Sequence, residues 1–443
     1  MKRLFSFLLV CVLTAALIAG CSSAQSPSGS SSPPASNKPP VQAPEYINLM
    51  TPWELPKAIL DKYKEKTGTE VKQDVVPNST TDYLQARNAR MASGSELDII
   101  GADHSDPAIF AADGTAVEMT NESWMSNLDA DSLKLISQYT STPGKQYSVV
   151  YEALTFGVWY NKDMFKQYGI EVPANFEEFI AVCDKLKSNG VAPLVQGGKD
   201  VWPFDQELNM LLENAYNTHP TFWVDLYQGK IKFTDADIVK EAQKLSIMLP
   251  DKGYYAEGSL STTYDQAWQV MLQKKAAMWF MGSWASEVMS GSGVQPDFEV
   301  GVFVPPFNDK GESQWDVKIL SRHYMVLSKS KKIDAAKDFL GFMTQPEIAQ
   351  IYADQGKTIS SVKGVKSSTM VAGADWAKVF TLPSGGENLL NNVGSDGKLY
   401  VAGTEFQKIK NANEAYIVDG SMTIEQYCES LQKAVELDIA STK

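Results

Sequence analysis

From Tyr46 onward the sequence switches repeatedly between two hydrophobic periods, and that alternation most constrains the fold. Ile47 and Leu49 start a strand-like pattern. Leu55, Ile59 and Tyr63 then recur at helical spacing and stop at Thr67-Gly68, before Val71 to Val76 return to a strand. Leu97-Asp98-Ile99-Ile100-Gly101 reads as a buried strand feeding a loop. Asn175 is placed to cap a helix with Glu178 as its partner, and Phe176, Phe179, Ile180, Cys183 and Leu186 form that helix's inner stripe. Ala276 to Met281 and Phe298 to Val304 read as strands, the second with Phe298, Val300, Val302 and Val304 on one face. Strands separated by helices predict an α/β architecture with a mainly parallel sheet.

The residues before Tyr46 follow other rules. Lys2 and Arg3 precede an uncharged apolar run from Leu4 through Ala19, shorter than the roughly 20 residues of a spanning helix. The run ends in Ile18-Ala19-Gly20-Cys21, which resembles a bacterial lipobox, against the alternative of an ordinary signal peptide with a coincidental cysteine. Residues 1–20 are therefore expected to be a lipoprotein signal peptide, and Cys21 the lipidated residue that anchors the protein outside the cell membrane. Losing Lys2 and Arg3 takes the formal charge from −13 to −15. The rest of segment 21–45, rich in Ser and Pro with almost no apolar bulk, reads as a tether.

Four ordered segments carry a resemblance. They are Ala92-Ser93-Gly94-Ser95-Glu96-Leu97-Asp98-Ile99-Ile100; Glu152-Ala153-Leu154 leading to Trp159-Tyr160-Asn161-Lys162-Asp163-Met164-Phe165; Lys275-Ala276-Ala277-Met278 with Gly282-Ser283-Trp284-Ala285; and Ala335-Ala336-Lys337-Asp338-Phe339-Leu340 before Thr344-Gln345-Pro346-Glu347. In this order, from about Tyr46 to about Val365, the chain resembles the family 1 extracellular solute-binding proteins of ABC importers, which include maltodextrin and other oligosaccharide binders. The resemblance implies a two-lobe, type II periplasmic-binding-protein-like α/β fold whose hinge is crossed more than once. It places lobe 1 at 46–151 and 320–356, lobe 2 at 152–319 and 357–443, and crossings near Tyr151 to Ala153, Lys318 to Arg322 and Gly356 to Ser361.

It also implies the function: a monomeric, lipid-anchored binder that captures a carbohydrate between its lobes and delivers it to ABC permease subunits, without catalysis, cofactor or metal. A sugar presents C–H patches and hydroxyls together, so its site needs flat rings beside firm hydrogen-bonding groups. The resemblance points to Trp284 in the Gly-Ser-Trp-Ala turn, Glu152 of Glu-Ala-Leu, and Trp202 in Val201-Trp202-Pro203-Phe204. Loop position at strand ends adds Trp53, Glu54, Asp103 and His104. Arg322 and His323 stand at a crossing where similar proteins often carry Gly-Gly. For each ring the competing reading is core packing, and for each charge a solvated surface or a structural bond. Trp279 and Tyr160 read as core; alternation sends one of Trp159 and Tyr160 inward and the other outward.

Composition narrows the other classes. With 53 Asp plus Glu against 40 Lys plus Arg and no basic stripe, nucleic acid is excluded as the main partner. Three histidines limit His-dependent catalysis or a multi-histidine metal site, and four cysteines rule out a disulfide-stapled scaffold. Cys183 and Cys428 fall on buried helix stripes and read as inert thiols. Phosphate-loop, serine-elbow, zinc-protease and Cys-x-x-Cys motifs are missing from the sequence. A secreted glycosidase, also acidic and rich in Trp, stays open as an alternative, as does the same fold binding a non-sugar polar solute.

Overall fold

The computed structural model describes residues 43–443 except 77–79, 103–105, 131, 134–135, 137–143, 201, 212–218, 220, 292, 315–317, 357–358, 367–391, 394–398, 401–403 and 442–443. The signal segment, Cys21 and most of the tether therefore lie outside the described residues, as do Asp103 and His104. The strands that position the site are β1 (Tyr46–Thr51), β2 (Glu70–Val75), β3 (Ile99–Ala102), β4 (Val149–Asn161), β5 (Ala192–Val195), β6 (Ala276–Gly282), β7 (Val300–Phe303), β8 (Lys318–Val326) and β9 (Ile359–Ser360). Local signals locate the helices closely. The first, Lys57–Thr67, stops at left-handed Gly68, and Asn175 accepts from the Glu178 N–H at the start of Phe176–Ser188.

Strand direction departs from the mainly parallel expectation. Pairs β1–β2, β1–β3 and β5–β6 are parallel, while β3–β8 and every pair involving β4 are antiparallel. Parallel pairs form where one helix returns the chain for the next strand, as between β1 and β2. The strands β4 and β8 arrive after long excursions, and local periodicity carries no information on their direction.

The 13-residue strand β4 is shared between two halves. Its Val149–Thr155 stretch pairs with β8, whereas Phe156–Tyr160 pairs with β6 and Val158–Asn161 with β7. Separate cores form on the two halves. One gathers Ile47, Leu49, Ile99, Val150, Tyr324 and Phe339; the other gathers Phe179, Leu194, Met278, Phe280 and, from the C-terminal helix Ile424–Ser441, Tyr427 and Leu431. A further cluster around Trp159, Trp268, Trp279 and Val300 covers the opposite face of β6. With both sheet faces covered, Trp159 and Tyr160 are both buried, at 0% and 8% exposure, and the expected outward ring does not exist. Trp159 Nε1 donates to the Met281 carbonyl at 3.2 Å.

Cys183 and Cys428 are buried free thiols. Burial pushes Cys428 up to about 12 and Cys183 well above its ordinary value, so neither is a ready nucleophile.

Candidate functional site

Three tryptophans follow the carboxyl ends of parallel strands, where open α/β sheets place ligands. Trp53 lies just beyond β1, Trp202 follows β5 after a short turn, and Trp284 comes two residues after β6. Each is held by local chemistry. Pro203 sits in the first turn of helix Trp202–Leu211, a position that tolerates its missing N–H. Gly282 lets the Trp284 ring fold back on the chain, since a Cβ there would lie 1.9 Å from that ring.

The first group surrounds Trp53. Its half-buried indole donates from Nε1 to the Tyr324 hydroxyl at 2.6 Å, with the rings edge-on at 5.7 Å. The Arg322 guanidinium lies 5.8 Å from the Trp53 ring and 5.4 Å from that of Tyr352. Arg322 donates from Nε to Glu152 at 2.7 Å and from Nη1 to the Tyr352 hydroxyl. Burial holds the Tyr324 and Tyr352 phenols above their ordinary range, so both stay protonated at any physiological pH.

The second group is aromatic. Trp202, 36% exposed, stands 4.9 Å from Tyr264 and 6.2 Å from Trp284, and Phe156 meets Trp284 edge-on at 5.3 Å. Tyr264 is fixed as the first residue of helix Tyr264–Leu272 by the Thr263/Gln266 capping box. Behind it, Tyr264 packs 5.5 Å from Trp279, whose Nε1 donates to Gln196 Oε1 at 3.0 Å. The Gln196 amide donates to Glu207 and to the Phe280 carbonyl, and Tyr255 donates to the same Glu207 carboxyl.

Strand β4 relates the two groups. It contributes Glu152 to the first and Phe156 to the second. Alternation sends residues four apart to one face, about 13 Å from each other along the strand. The arrangement offers ring faces at one end and a charge-paired, ring-flanked carboxylate at the other, on a polar solute's scale.

Glu54 is exposed. His323 is fully buried in β8, its Nδ1 3.0 Å from Ser148 Oγ. Sequence reasoning missed Tyr264, Tyr324, Tyr352 and Phe156. The Thr-x-x-Gln capping box could have drawn attention to Tyr264, whereas Tyr352 carries no local signal.

Over residues 54–350 the chain matches the family described as bacterial extracellular solute-binding protein. It is 26% identical over 332 residues to the Multiple sugar-binding protein of Streptococcus mutans, spanning 73% of this chain and 76% of the relative. It is 24% identical over 303 residues to the Melibiose/raffinose/stachyose-binding protein MelE of Bacillus subtilis, spanning 66% and 67%. Among solved structures, the solute-binding protein RafE in complex with raffinose has TM-score 0.70 at 19% identity, covering 89% of this chain and 99% of its own. A chitin oligosaccharide binding protein has TM-score 0.67 at 21% identity, covering 87% and 95%. These structures share the two-lobe α/β fold, and both they and the sequence relatives are binding proteins rather than enzymes. This chain, a binding protein with the same fold, belongs to the bacterial extracellular solute-binding proteins.

Proposed function

We propose that the protein is the lipid-anchored, extracytoplasmic solute-binding component of an ABC importer, capturing a neutral oligosaccharide between its lobes for delivery to the permease. The observation that carries the ligand class is the pair of ring groups at strand ends, with Trp202, Tyr264 and Trp284 on one side and Trp53 beside the Glu152–Arg322 pair on the other. Flat rings suit the C–H faces of pyranoses, and charged hydrogen-bonding groups suit their hydroxyls. The names of the Streptococcus mutans and Bacillus subtilis relatives support the same class. In this reading lobe 1 comprises 46–151 and 320–356, lobe 2 comprises 152–319 and 357–443, and β4, β8 and β9 carry the hinge. In the same reading Glu54, Asp103 and His104 belong to the lobe 1 side of the site, and the fully buried His323 backs it from within β8.

The test is a thermal-shift and tryptophan-fluorescence screen against raffinose, stachyose, maltotriose and xylotriose, with the solutions assayed for hydrolysis products. A ligand at a hundred times its Kd stabilises the native state by about 2.7 kcal/mol, so a binder raises Tm without turnover. Trp284→Ala should weaken that binder about tenfold, the loss expected for removing one ring contact worth about 1.4 kcal/mol. Hydrolysis would overturn the reading, and a response only to charged solutes would move the ligand class. Anchoring is tested separately: Cys21→Ser expressed from the full gene should move the protein from the membrane fraction to the medium or periplasm. Retention in the membrane would refute the anchor.

A further inference from the structure

Among the described residues, two that are not glycine have positive φ, Lys274 at 57° and Arg322 at 56°. Lys274 has a local explanation. It follows helix Tyr264–Leu272 and its capping residue, and the next N–H, from Lys275, returns to the Val270 carbonyl, as at many left-handed helix stops. Arg322 has none. It lies inside β8, between Ser321 opposite Glu152 and His323 opposite Val150, and the ladder omits the position that would pair it with Tyr151. A strand interior favours extended backbone, so a left-handed arginine there is strained. Such strain persists only where the surroundings over-determine it.

Those surroundings are unusual in origin. At Glu152 and Ala153, β4 is flanked by β8 on one side and β9 on the other, so three connecting segments lie side by side. The Arg322 guanidinium binds one of them through Glu152. It also binds Tyr352, on helix Pro346–Gly356, the element before β9 in the chain. In addition it lies against the ring of Trp53, from the β1 loop. One strained residue thus touches the hinge strands and the candidate ligand ring together.

We propose that Arg322 is a positioning residue that makes alignment of the hinge and presentation of the Trp53 ring a single event. Hinge closure is absorbed by large φ/ψ changes at a few residues. The residue already held in a rare conformation at the junction of three segments is the one whose state must change with the angle. When it changes, the planar guanidinium leaves or meets the Trp53 face and the Glu152 carboxylate together. A ligand stacked on Trp53 therefore opposes reopening, and Arg322 governs how slowly it leaves. The role differs from direct ligand contact, and its ligand arm rests on the function proposed above.

Removing Arg322 alone would take the paired guanidinium from Glu152, which is 2% exposed, so the test uses a Glu152→Gln background. Glu152→Gln is compared with Glu152→Gln/Arg322→Gly, in which glycine accepts the left-handed backbone without strain. Stopped-flow tryptophan fluorescence with raffinose, or whichever panel sugar binds, should show dissociation at least tenfold faster in the double variant. Association should change by less than threefold, and Tm should not fall. In the otherwise unaltered chain, Arg322→Lys should not restore slow dissociation, since an ammonium lacks the stacking fork. Equal dissociation rates overturn the proposal. So does a Tm collapse that Arg322→Lys repairs, because that pattern belongs to a merely structural charge. A ligand-free arm separates this inference from the ligand class. The double variant's radius of gyration by small-angle X-ray scattering should differ from that of Glu152→Gln, and identical scattering overturns the hinge coupling even if no sugar binds.

Discussion

Replacing Arg87 with alanine should destabilise the protein by about 3–5 kcal/mol, the usual result of leaving one member of a buried ion pair without its partner. Arg87, on helix Thr80–Ser93, and Asp106, at the start of helix Asp106–Ala112, form a two-pronged pair with side-chain exposures of only 4% and 8%. The guanidinium also lies 5.1 Å from the Phe110 ring and 5.7 Å from that of Tyr83. Truncation would take the two-pronged guanidinium away from the buried Asp106 carboxylate. The effect should reach the ligand side of the sheet. The Tyr83 hydroxyl donates to the Met50 carbonyl at 3.1 Å and to that of Gly101, and a Cβ on Gly101 would sit 3.1 Å from the Trp53 ring. Loosening Arg87 should therefore disturb the floor under Trp53 as well as lower the denaturation midpoint. The contrast is Arg87→Met/Asp106→Leu, which removes both charges and should recover most of the loss, because a buried pair contributes little over apolar groups of similar volume. Chemical denaturation of the two variants decides the matter. Equal destabilisation in both would mean that packing of the arginine stem, rather than an orphaned charge, is what the site requires.

The sequence showed what depends on neighbours in the chain. Periodicity located β1, β2, β3 and β6 to within a residue or two, and the Asn175 cap is present as read. Loop position put Trp53 beyond β1, and the family resemblance singled out Trp202 and Trp284, which follow β5 and β6. What stayed hidden depends on partners far away in the chain. Trp53 meets Tyr324 across 271 residues, and nothing around either residue signals the other. Strand direction failed for the same reason, because β4 and β8 take theirs from tertiary packing. Trp159 was misjudged because alternation reports two faces without saying whether the second is covered, and here helices cover it. The strain at Arg322 is a backbone fact that an arginine in a β-patterned run conceals.

Raising the pH through neutrality should weaken the ring-bearing half of the molecule, and Glu207→Gln should abolish that effect. Glu207 is fully buried in the helix that Trp202 begins, and burial pushes its carboxyl up to about 7 from an ordinary value of 4.5. Hydrogen bonds from Tyr255 and Gln196 pull the other way without offsetting burial. The direction of the pH effect follows from proton counting. Between pH 4.5 and 7 the native protein holds a proton on Glu207 that the unfolded chain has released, so stability falls as pH rises. The contribution, about 3 kcal/mol, is complete below about 4.5 and lost once the pH passes about 7. Carboxyls such as Asp225 and Asp309, held below their ordinary range by lysines, act in the opposite sense, so the wild-type curve alone would mix the two. Comparison with Glu207→Gln isolates the one group. The two proteins should denature together near pH 4, and the wild type should fall progressively behind the variant up to pH 8. The consequence for binding runs through Gln196, which holds both Glu207 and the Trp279 indole, and Trp279 backs the Tyr264 ring that meets Trp202. A carboxylate ionising beneath that stack competes for the Gln196 amide and loosens the wall. Ligand affinity in the wild type should then decline above pH 7 while the variant stays level. Parallel denaturation curves from pH 4 to 8 would show that Glu207 binds no more protons in the native protein than in the unfolded chain, and would refute the coupling between this buried carboxyl and the ring wall.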